Sequence, residues 1–169
     1  MRKLASMSVT VTLVLAMLAI ALPASGCGGE GGQEVTKTVK VGETLTLYDT
    51  TFKVTRVRTS ATVGSGPLKQ RADGVFIVVN LTLTNRKDKP AIVGEDRVRL
   101  KGGNGKKYST AAIGRVVVPH ALAVLQELQP DRPRKVVAVY DVPEQAVKGA
   151  QLIVKDFWSE ETGAVDLGL

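Results

Sequence analysis

Two side chains that often carry chemistry, a thiol and an imidazole, each occur once among the 169 residues, at Cys27 and His120. A single cysteine in an exported chain indicates intermolecular pairing, a reactive thiol or a covalent modification. A lone histidine serves a metal site only when further ligands and supporting groups converge on it. The residues around each one therefore decide which chemistry it can perform.

The residues before Cys27 have the order of a secretory signal peptide. Arg2 and Lys3 give a positively charged start, and Leu13–Leu22 is an unbroken apolar run of ten residues. A membrane-spanning helix needs about 20 predominantly apolar residues, so this run has the length of a signal-peptide core instead. Pro23 and the small residues after it end the segment. We predict a signal peptide over residues 1–26.

The stretch "ASGC", which ends at Cys27, resembles the lipobox of bacterial lipoproteins. That resemblance implies a diacylglyceryl group on the Cys27 thiol and cleavage of the chain just before this residue. Two acyl chains hold a protein on a bilayer stably, whereas one chain binds only reversibly. An ordinary signal peptide with an incidental cysteine is the alternative. We expect a protein anchored by its lipid to the cell membrane of a bacterium, on the extracytoplasmic side.

The sequence lacks the residue patterns of the common enzyme sites. His120 follows Pro119 in an apolar neighbourhood, and we interpret it as a structural or surface residue. A serine triad would need a Gly-x-Ser-x-Gly turn, which does not occur. The stretch "GGNGKKYS" has Leu100 where a phosphate-binding loop needs glycine, so we interpret it as a hairpin turn. We therefore expect no catalytic residue, no metal and no cofactor.

Length and charge limit the mature chain to a few classes of protein. Residues 27–169 are 143 residues, which suits one domain with a substantial core. The glycine-rich stretch "GGEGGQE" is typical of flexible coil, so we interpret residues 27–34 as a lipidated tether and residues 35–169 as the folded domain. The formal net charge of +7 falls to +5 once Arg2 and Lys3 are removed with the signal. This charge is mild and scattered, which argues against nucleic-acid binding and is compatible with an anionic membrane or cell-wall polymer.

Apolar and polar residues alternate along the domain with a period of two, which predicts strands. In "GVFIVVNLTLTN" every second residue from Val75 to Leu83 is apolar, and the opposite side is apolar at first and becomes polar from Asn80 onwards. We expect this strand to be central. Val57 breaks the phase of an earlier strand, as a β-bulge does.

The remaining local signals are turns and one ambiguous segment. Asn104-Gly105 predicts a hairpin turn, and Asp141, which stands before Val142-Pro143, is expected to fix a turn by bonding to backbone. Valines favour a strand in the first part of the segment 112–129, and a helical turn over Ala121–Leu128 is the alternative for its second part. Short strands at this spacing, with no long helical segment, predict an all-β sandwich or barrel.

Four motifs in order resemble a telokin-like, immunoglobulin-like domain of unknown function found in bacterial lipoproteins. They are the Val-Gly-Glu at residues 41–43, Asn85 at the end of the long strand, Asp141-Val142-Pro143, and the terminal "QLIVKD". Tyr140 departs from the family's phenylalanine. The resemblance covers about residues 39–157 and implies an immunoglobulin-like, two-sheet antiparallel β-sandwich. The family supplies no catalytic residues.

Two classes of function remain open at this stage. The first is a non-catalytic surface module that binds an unknown protein or a cell-wall polymer. The second is a small-ligand carrier or an accessory subunit of a cell-envelope enzyme or transporter. Phe157 and Trp158 are candidate partner contacts, because adjacent aromatic residues near the end of the chain either stack on a ligand or close an edge of the sandwich.

The lipid anchor gives a direct prediction. Mass spectrometry of the mature N-terminus should find a peptide that begins at Cys27 and carries acyl chains on the thiol. Cys27→Ser should leave the protein unlipidated and at least partly released from the membrane, because the apolar anchor is lost. A mature chain that begins elsewhere, or an unmodified Cys27, would contradict the lipoprotein interpretation.

Overall fold

The computed structural model describes residues 34–122 and 125–169, and these belong to one compact unit. The predicted signal peptide, Cys27 and most of the predicted tether lie outside the described residues. Within the described part, no helix is long and apolar enough to cross a membrane. The strands, in chain order, are β1 (Val35–Lys40), β2 (Thr44–Leu47), β3 (Thr50–Val63), β4 (Gln70–Asn85), β5 (Ala91–Gly94), β6 (Val98–Lys101), β7 (Lys107–Tyr108), β8 (Leu125–Leu128), β9 (Arg134–Val142), β10 (Gln151–Lys155) and β11 (Thr162–Asp166).

Two main sheets face each other, which confirms the predicted sandwich. One sheet has the order β1-β11-β10-β6-β7, and the other has the order β2-β3-β4-β9. A two-stranded ribbon of β5 and β8 accompanies them. One pair departs from the antiparallel arrangement, since β1 runs parallel to β11 from Val35 opposite Thr162 to Lys40 opposite Asp166.

The long strand β4 lies inside its sheet, between β3 and β9, as its sequence predicts. Its inward side chains Ile77, Val79, Leu81 and Leu83 are buried, and they form the core with apolar residues of the facing sheet. The pairing of β3 with β4 shifts register between Val54 and Arg56, which confirms the bulge predicted from the phase break. Strand alternation therefore builds the core that joins the two sheets.

One polar contact crosses this apolar core. The hydroxyl of Tyr140, in β9, is fully buried and donates a hydrogen bond of 3.0 Å to the carbonyl of Val98, in β6 of the other sheet. Burial raises the pKa of the Tyr140 hydroxyl well above its usual value, so it stays protonated and acts as the donor. A tyrosine thus fits where the family resemblance leads one to expect phenylalanine, because a backbone carbonyl pairs with its polar atom.

The segment predicted as a strand from its valines is in fact a short helix, α1 (Ala112–Val117). A Cβ added at Gly114 would lie 2.7 Å from the Cβ of Val139, so glycine lets the helix pack directly on β9. Arg115 holds the helix through an ion pair of 2.6 Å between its Nη1 and the Oε2 of Glu95. Tertiary packing has overridden the preference of valine for strands.

The helix covers a second apolar cluster on the outer side of the four-stranded sheet. Phe76, Val78 and Val139 are buried there beneath Ile113 and Val117. The alternative of a helical turn over Ala121–Leu128 is also wrong, because β8 occupies Leu125–Leu128 and pairs with β5. The predicted turn at Asn104-Gly105 is confirmed, with Gly105 at a φ of 79° between β6 and β7.

The two sides of β4 differ in what they contribute to stability. Leu81→Ala should lower the free energy of unfolding by roughly 2–5 kcal/mol, since it removes a side chain that is 1% exposed and leaves a cavity. Thr82→Ala, at a half-buried position on the outer side, should cost much less. Urea unfolding of both variants measures this difference, and equal shifts of the midpoint would contradict the assignment of the two faces.

Candidate functional site

Three loops meet at the end of the sandwich where β4 finishes. They are the turn at Tyr48-Asp49 between β2 and β3, the charged turn 86–90 after β4, and the hairpin 156–161 between β10 and β11. The start of β1 lies at the same end, because Thr36 donates a hydrogen bond of 3.0 Å to the carbonyl of Thr162, which directly follows the hairpin 156–161. This end of the domain therefore also contains the first described residues of the chain.

The side chain of Asn85 holds these loops together. It is fully buried, and its Nδ2 donates to the carbonyls of Lys89 at 2.8 Å and Leu128 at 3.2 Å. Its Oδ1 accepts from the backbone N–H of Lys87 at 3.0 Å and from the indole Nε1 of Trp158 at 3.3 Å. One amide thus satisfies polar groups from three separate segments, as burial in an apolar end requires.

Trp158 and two lysines form a surface cluster above this amide. The Nζ of Lys87 lies 5.5 Å from the centre of the Trp158 ring and 5.1 Å from that of Tyr48, and the Nζ of Lys89 lies 5.0 Å from the Trp158 ring. These distances are those of cation–π contacts. We call Tyr48, Lys87, Lys89 and Trp158 the aromatic–lysine cluster.

A carboxylate fixes the central lysine of the cluster. The Nζ of Lys87 lies 3.2 Å from the Oδ2 of Asp49. Hydrogen bonding to Asp49 raises the pKa of the Lys87 ammonium, so this lysine stays charged between the two rings.

Tyr48 is exposed, at 64% of its surface. Its φ of 35° lies in the left-handed region, which is uncommon for a bulky residue. The carboxylate of Glu161 accepts a hydrogen bond of 2.8 Å from the Tyr48 backbone N–H and so supports this conformation. Strained backbone that the surroundings hold in place is found preferentially at functional sites.

Phe157 and Trp158, which the sequence presents as a pair, have different surroundings. The Phe157 ring packs edge-on against Phe52 of the core, with ring centres 5.4 Å apart and planes at 72°. Trp158 lies instead in the aromatic–lysine cluster, at the surface. Asp156 sets this arrangement, because its buried Oδ2 accepts from the backbone N–H groups of Trp158 and Ser159, both at 2.8 Å.

His120 lies elsewhere, at the surface beside a groove. Its φ is 58°, again in the left-handed region. The groove has a volume of about 660 Å³, and its lining includes His120, Arg132 and Lys135. Among the residues that the structure describes, no group of three or more His, Cys, Asp or Glu side chains is placed to hold a metal ion.

The two remaining sequence predictions concern Asp141 and Cys27. The carboxylate of Asp141, in β9, accepts from the backbone N–H groups of Asp73 at 3.0 Å and Gly74 at 3.3 Å. It therefore bonds to backbone as predicted, but to strand β4 and not to a turn. Cys27 lies outside the described residues, so its lipidation stays a prediction.

Comparison with known proteins places the chain among bacterial β-sandwich domains. The family model for a domain of unknown function, DUF4352, matches residues 39–164. No curated protein matches the chain. The solved structure of yjhA from Bacillus subtilis is similar, with a TM-score of 0.59 and 17% identity over 76% of this chain and 98% of yjhA.

Two further solved structures share the fold. MPT63, a secreted protein of Mycobacterium tuberculosis, has a TM-score of 0.53 and 14% identity over 76% of this chain and 95% of that protein. The predicted lipoprotein ycdA of Bacillus subtilis has a TM-score of 0.52 and 15% identity over 73% of this chain and 38% of ycdA. Because the identities are low, these likenesses establish the sandwich fold alone.

The role of Asn85 in supporting Trp158 can be tested by substitution. Asn85→Ala should destabilise the domain by roughly 1–3 kcal/mol, because several buried polar groups lose their partner. It should also shift the fluorescence of Trp158, the only tryptophan, to longer wavelength as the indole meets more water.

Asn104 provides the matched control for this change. It also bonds within a turn, to Tyr108 at 2.8 Å and Lys106 at 3.1 Å, but it is exposed. Asn104→Ala should therefore cost well under half as much in urea unfolding and leave the fluorescence unchanged. Equal losses from the two variants would contradict the role assigned to Asn85.

Proposed function

This chain belongs to the family of the domain of unknown function DUF4352, and from that premise we propose that it is a non-catalytic binding module on the outer side of a bacterial membrane. The lipid on Cys27 holds it there. The relatives that share its fold include a secreted protein and a predicted lipoprotein, which supports an extracytoplasmic location. The signal-like order of residues before Cys27 supports the same location independently.

The aromatic–lysine cluster is the surface through which the module contacts a protein partner. The observation that carries this proposal is the exposed Tyr48, held in a left-handed backbone conformation with Lys87 between its ring and that of Trp158. Tyrosine and tryptophan are enriched among the residues that dominate binding energy at protein interfaces. The hydrogen bond between the Trp158 indole and Asn85 orders the Trp158 ring before binding, and Glu161 holds the backbone of Tyr48. This order reduces the entropy lost on association.

Crosslinking in living cells tests this contact. A photo-crosslinking aromatic residue in place of Tyr48 should give a discrete adduct of higher mass after irradiation. The same residue in place of Val116 should give none, although Val116 is similarly exposed, at 69%, because it lies on α1 beside β9. Adducts of equal yield at both positions, or none at Tyr48, would contradict the proposal.

The non-catalytic part of the proposal has its own test. The purified protein should not turn over ester, peptide or glycoside substrates above the uncatalysed rate. Turnover that disappears in His120→Asn would contradict it, since asparagine tolerates the left-handed backbone at this position and removes only the imidazole.

A further inference from the structure

The outer side of the four-stranded sheet divides into two halves of opposite character. One half is apolar and lies beneath α1, where Phe76 and Val78 are buried. The other half begins at Asn80 and has no covering element among the described residues. We call this half the open face; its strand residues are Thr44, Thr46, Thr51, Lys53, Thr55, Arg56, Asn80, Thr82, Thr84 and Lys135.

Strand register orders the open face into rows. In the first row Thr44 pairs with Lys53, Lys53 with Thr82, and Thr82 with Lys135. Neighbouring strands lie about 4.8 Å apart, so the backbones of the two lysines are about 10 Å apart with a hydroxyl between them. The row thus presents two positive charges separated by a group that can both donate and accept.

The second row contains hydroxyl groups only. Thr46 pairs with Thr51, and Thr51 with Thr84. Each hydroxyl provides one donor and two acceptor sites. This row therefore suits a ligand that carries hydroxyl groups or phosphate oxygens beside its charges.

The cations of the open face have no acidic counterparts on it. None of its strand residues is Asp or Glu, and within the described part of the chain Lys53, Arg56 and Lys135 take part in no ion pair. By contrast, Arg97 and Lys155, beside or on the other sheet, both contact Glu160. Positive charges gathered without partners on one sheet face favour an anionic ligand.

The open face continues into the groove beside His120. A smaller recess of about 180 Å³ has Thr55 and Asn80 on one side and His120 and Lys135 on the other. His120 and Lys135 also line the 660 Å³ groove, so the two depressions are adjacent and share these side chains. Together they form a track from the middle of the sheet to its edge at β9.

Nearby acidic groups offset only part of the positive charge of this track. Glu127 lines the groove, and its Oε1 accepts a hydrogen bond of 2.9 Å from the amide of Gln129, a neutral group that does not offset the charge of the carboxylate. Beside the groove, the carboxylate of Asp131 lies 3.5 Å from the guanidinium of Arg86. The cations of the track, Lys53, Arg56, Arg132 and Lys135, outnumber Glu127, so its net charge is positive.

We propose that this track binds a linear phosphodiester polymer that carries hydroxyl groups. A flexible polyanion can place successive charges in the groove and across the open face, which a single small anion cannot do. Lysine and arginine side chains both donate hydrogen bonds to phosphate oxygens, and the threonine hydroxyls add further donors and acceptors for the hydroxyl groups of the ligand. The inference goes beyond the proposed function, because it assigns a second surface and a ligand class, but it rests on the same non-catalytic binding role.

Two triple variants with the same net charge distinguish binding at this surface from non-specific electrostatic attraction. The track variant removes three cations of the track through Lys53→Gln, Arg56→Gln and Lys135→Gln. The control variant removes three cations from strands of the other sheet through Lys37→Gln, Lys40→Gln and Lys101→Gln. Both are made in residues 27–169 carrying Cys27→Ser, and both must give the circular dichroism and thermal midpoint of the parent.

Binding of a fluorescent poly(glycerol phosphate) oligomer is then measured by anisotropy across a range of salt concentrations. The track variant should bind roughly tenfold more weakly, and the slope of log affinity against log salt should fall by roughly one for each cation removed. The control variant should stay close to the parent. His120→Asn with Arg132→Gln should also weaken binding, because these changes affect the groove end of the track.

Three results would overturn the proposal. They are equal losses in the two triple variants, equal or tighter binding of polyglutamate, and binding of phosphatidylglycerol vesicles without binding of the oligomer. Equal losses would show that binding depends on overall charge and not on this surface. Binding of polyglutamate would identify a carboxylate polymer as the ligand, and binding of vesicles alone would identify a lipid surface. None of these results affects the crosslinking at Tyr48, so failure here is distinguishable from failure of the proposed function.

Discussion

The change of character along the outer side of β4 is the constraint on which the rest of the domain depends. Its inner side is apolar from Val75 to Leu83 and joins the two sheets. Its outer side is apolar at Phe76 and Val78 and polar from Asn80 to Thr84. The apolar half is stabilised when it is removed from water, and α1 covers it. The polar half can face solvent without a cost in free energy. The helix and the open face are therefore two consequences of one strand's sequence.

The same strand also organises the end of the domain. Asn85 is its last residue, and its buried amide bonds to the charged turn, to β8 and to Trp158. A polar group in such a place is stabilising only when all its hydrogen-bonding capacity is used, so the loops around it are held in one arrangement. The half-buried ring of Trp158 is thus held in one position although it lies on a loop.

Local patterns in the sequence predict much of this fold. Alternation identifies β4 and its central place, the phase break at Val57 identifies the bulge, and the residue types at Asn104-Gly105 identify a turn. All of these depend on neighbours in sequence or on strand periodicity. The prediction failed at Ala112–Val117, where strand preference yields to the need to cover an apolar patch built by β3, β4 and β9.

The candidate sites were harder to foresee, because residues distant in sequence compose them. Thr36 and Thr162, which mark the parallel pairing of β1 with β11, are 126 positions apart. Trp158 was identified as a candidate contact from its type alone. Its partners Tyr48, Lys87 and Lys89 lie on two other loops, and only the strand order brings these loops together. The open face likewise needs the register of four strands, which no single segment encodes.

Amide chemical-shift mapping tests the central claim, that the polar half of β4's outer side is a binding surface, most directly. The protein is labelled with ¹⁵N and titrated with the phosphodiester oligomer at low salt. We expect shifts at Lys53, Asn80, Thr82 and Lys135 that extend to His120, with little change on α1 or on the outer side of the five-stranded sheet. Shifts confined to those other surfaces, or no shifts at millimolar ligand, would contradict the claim.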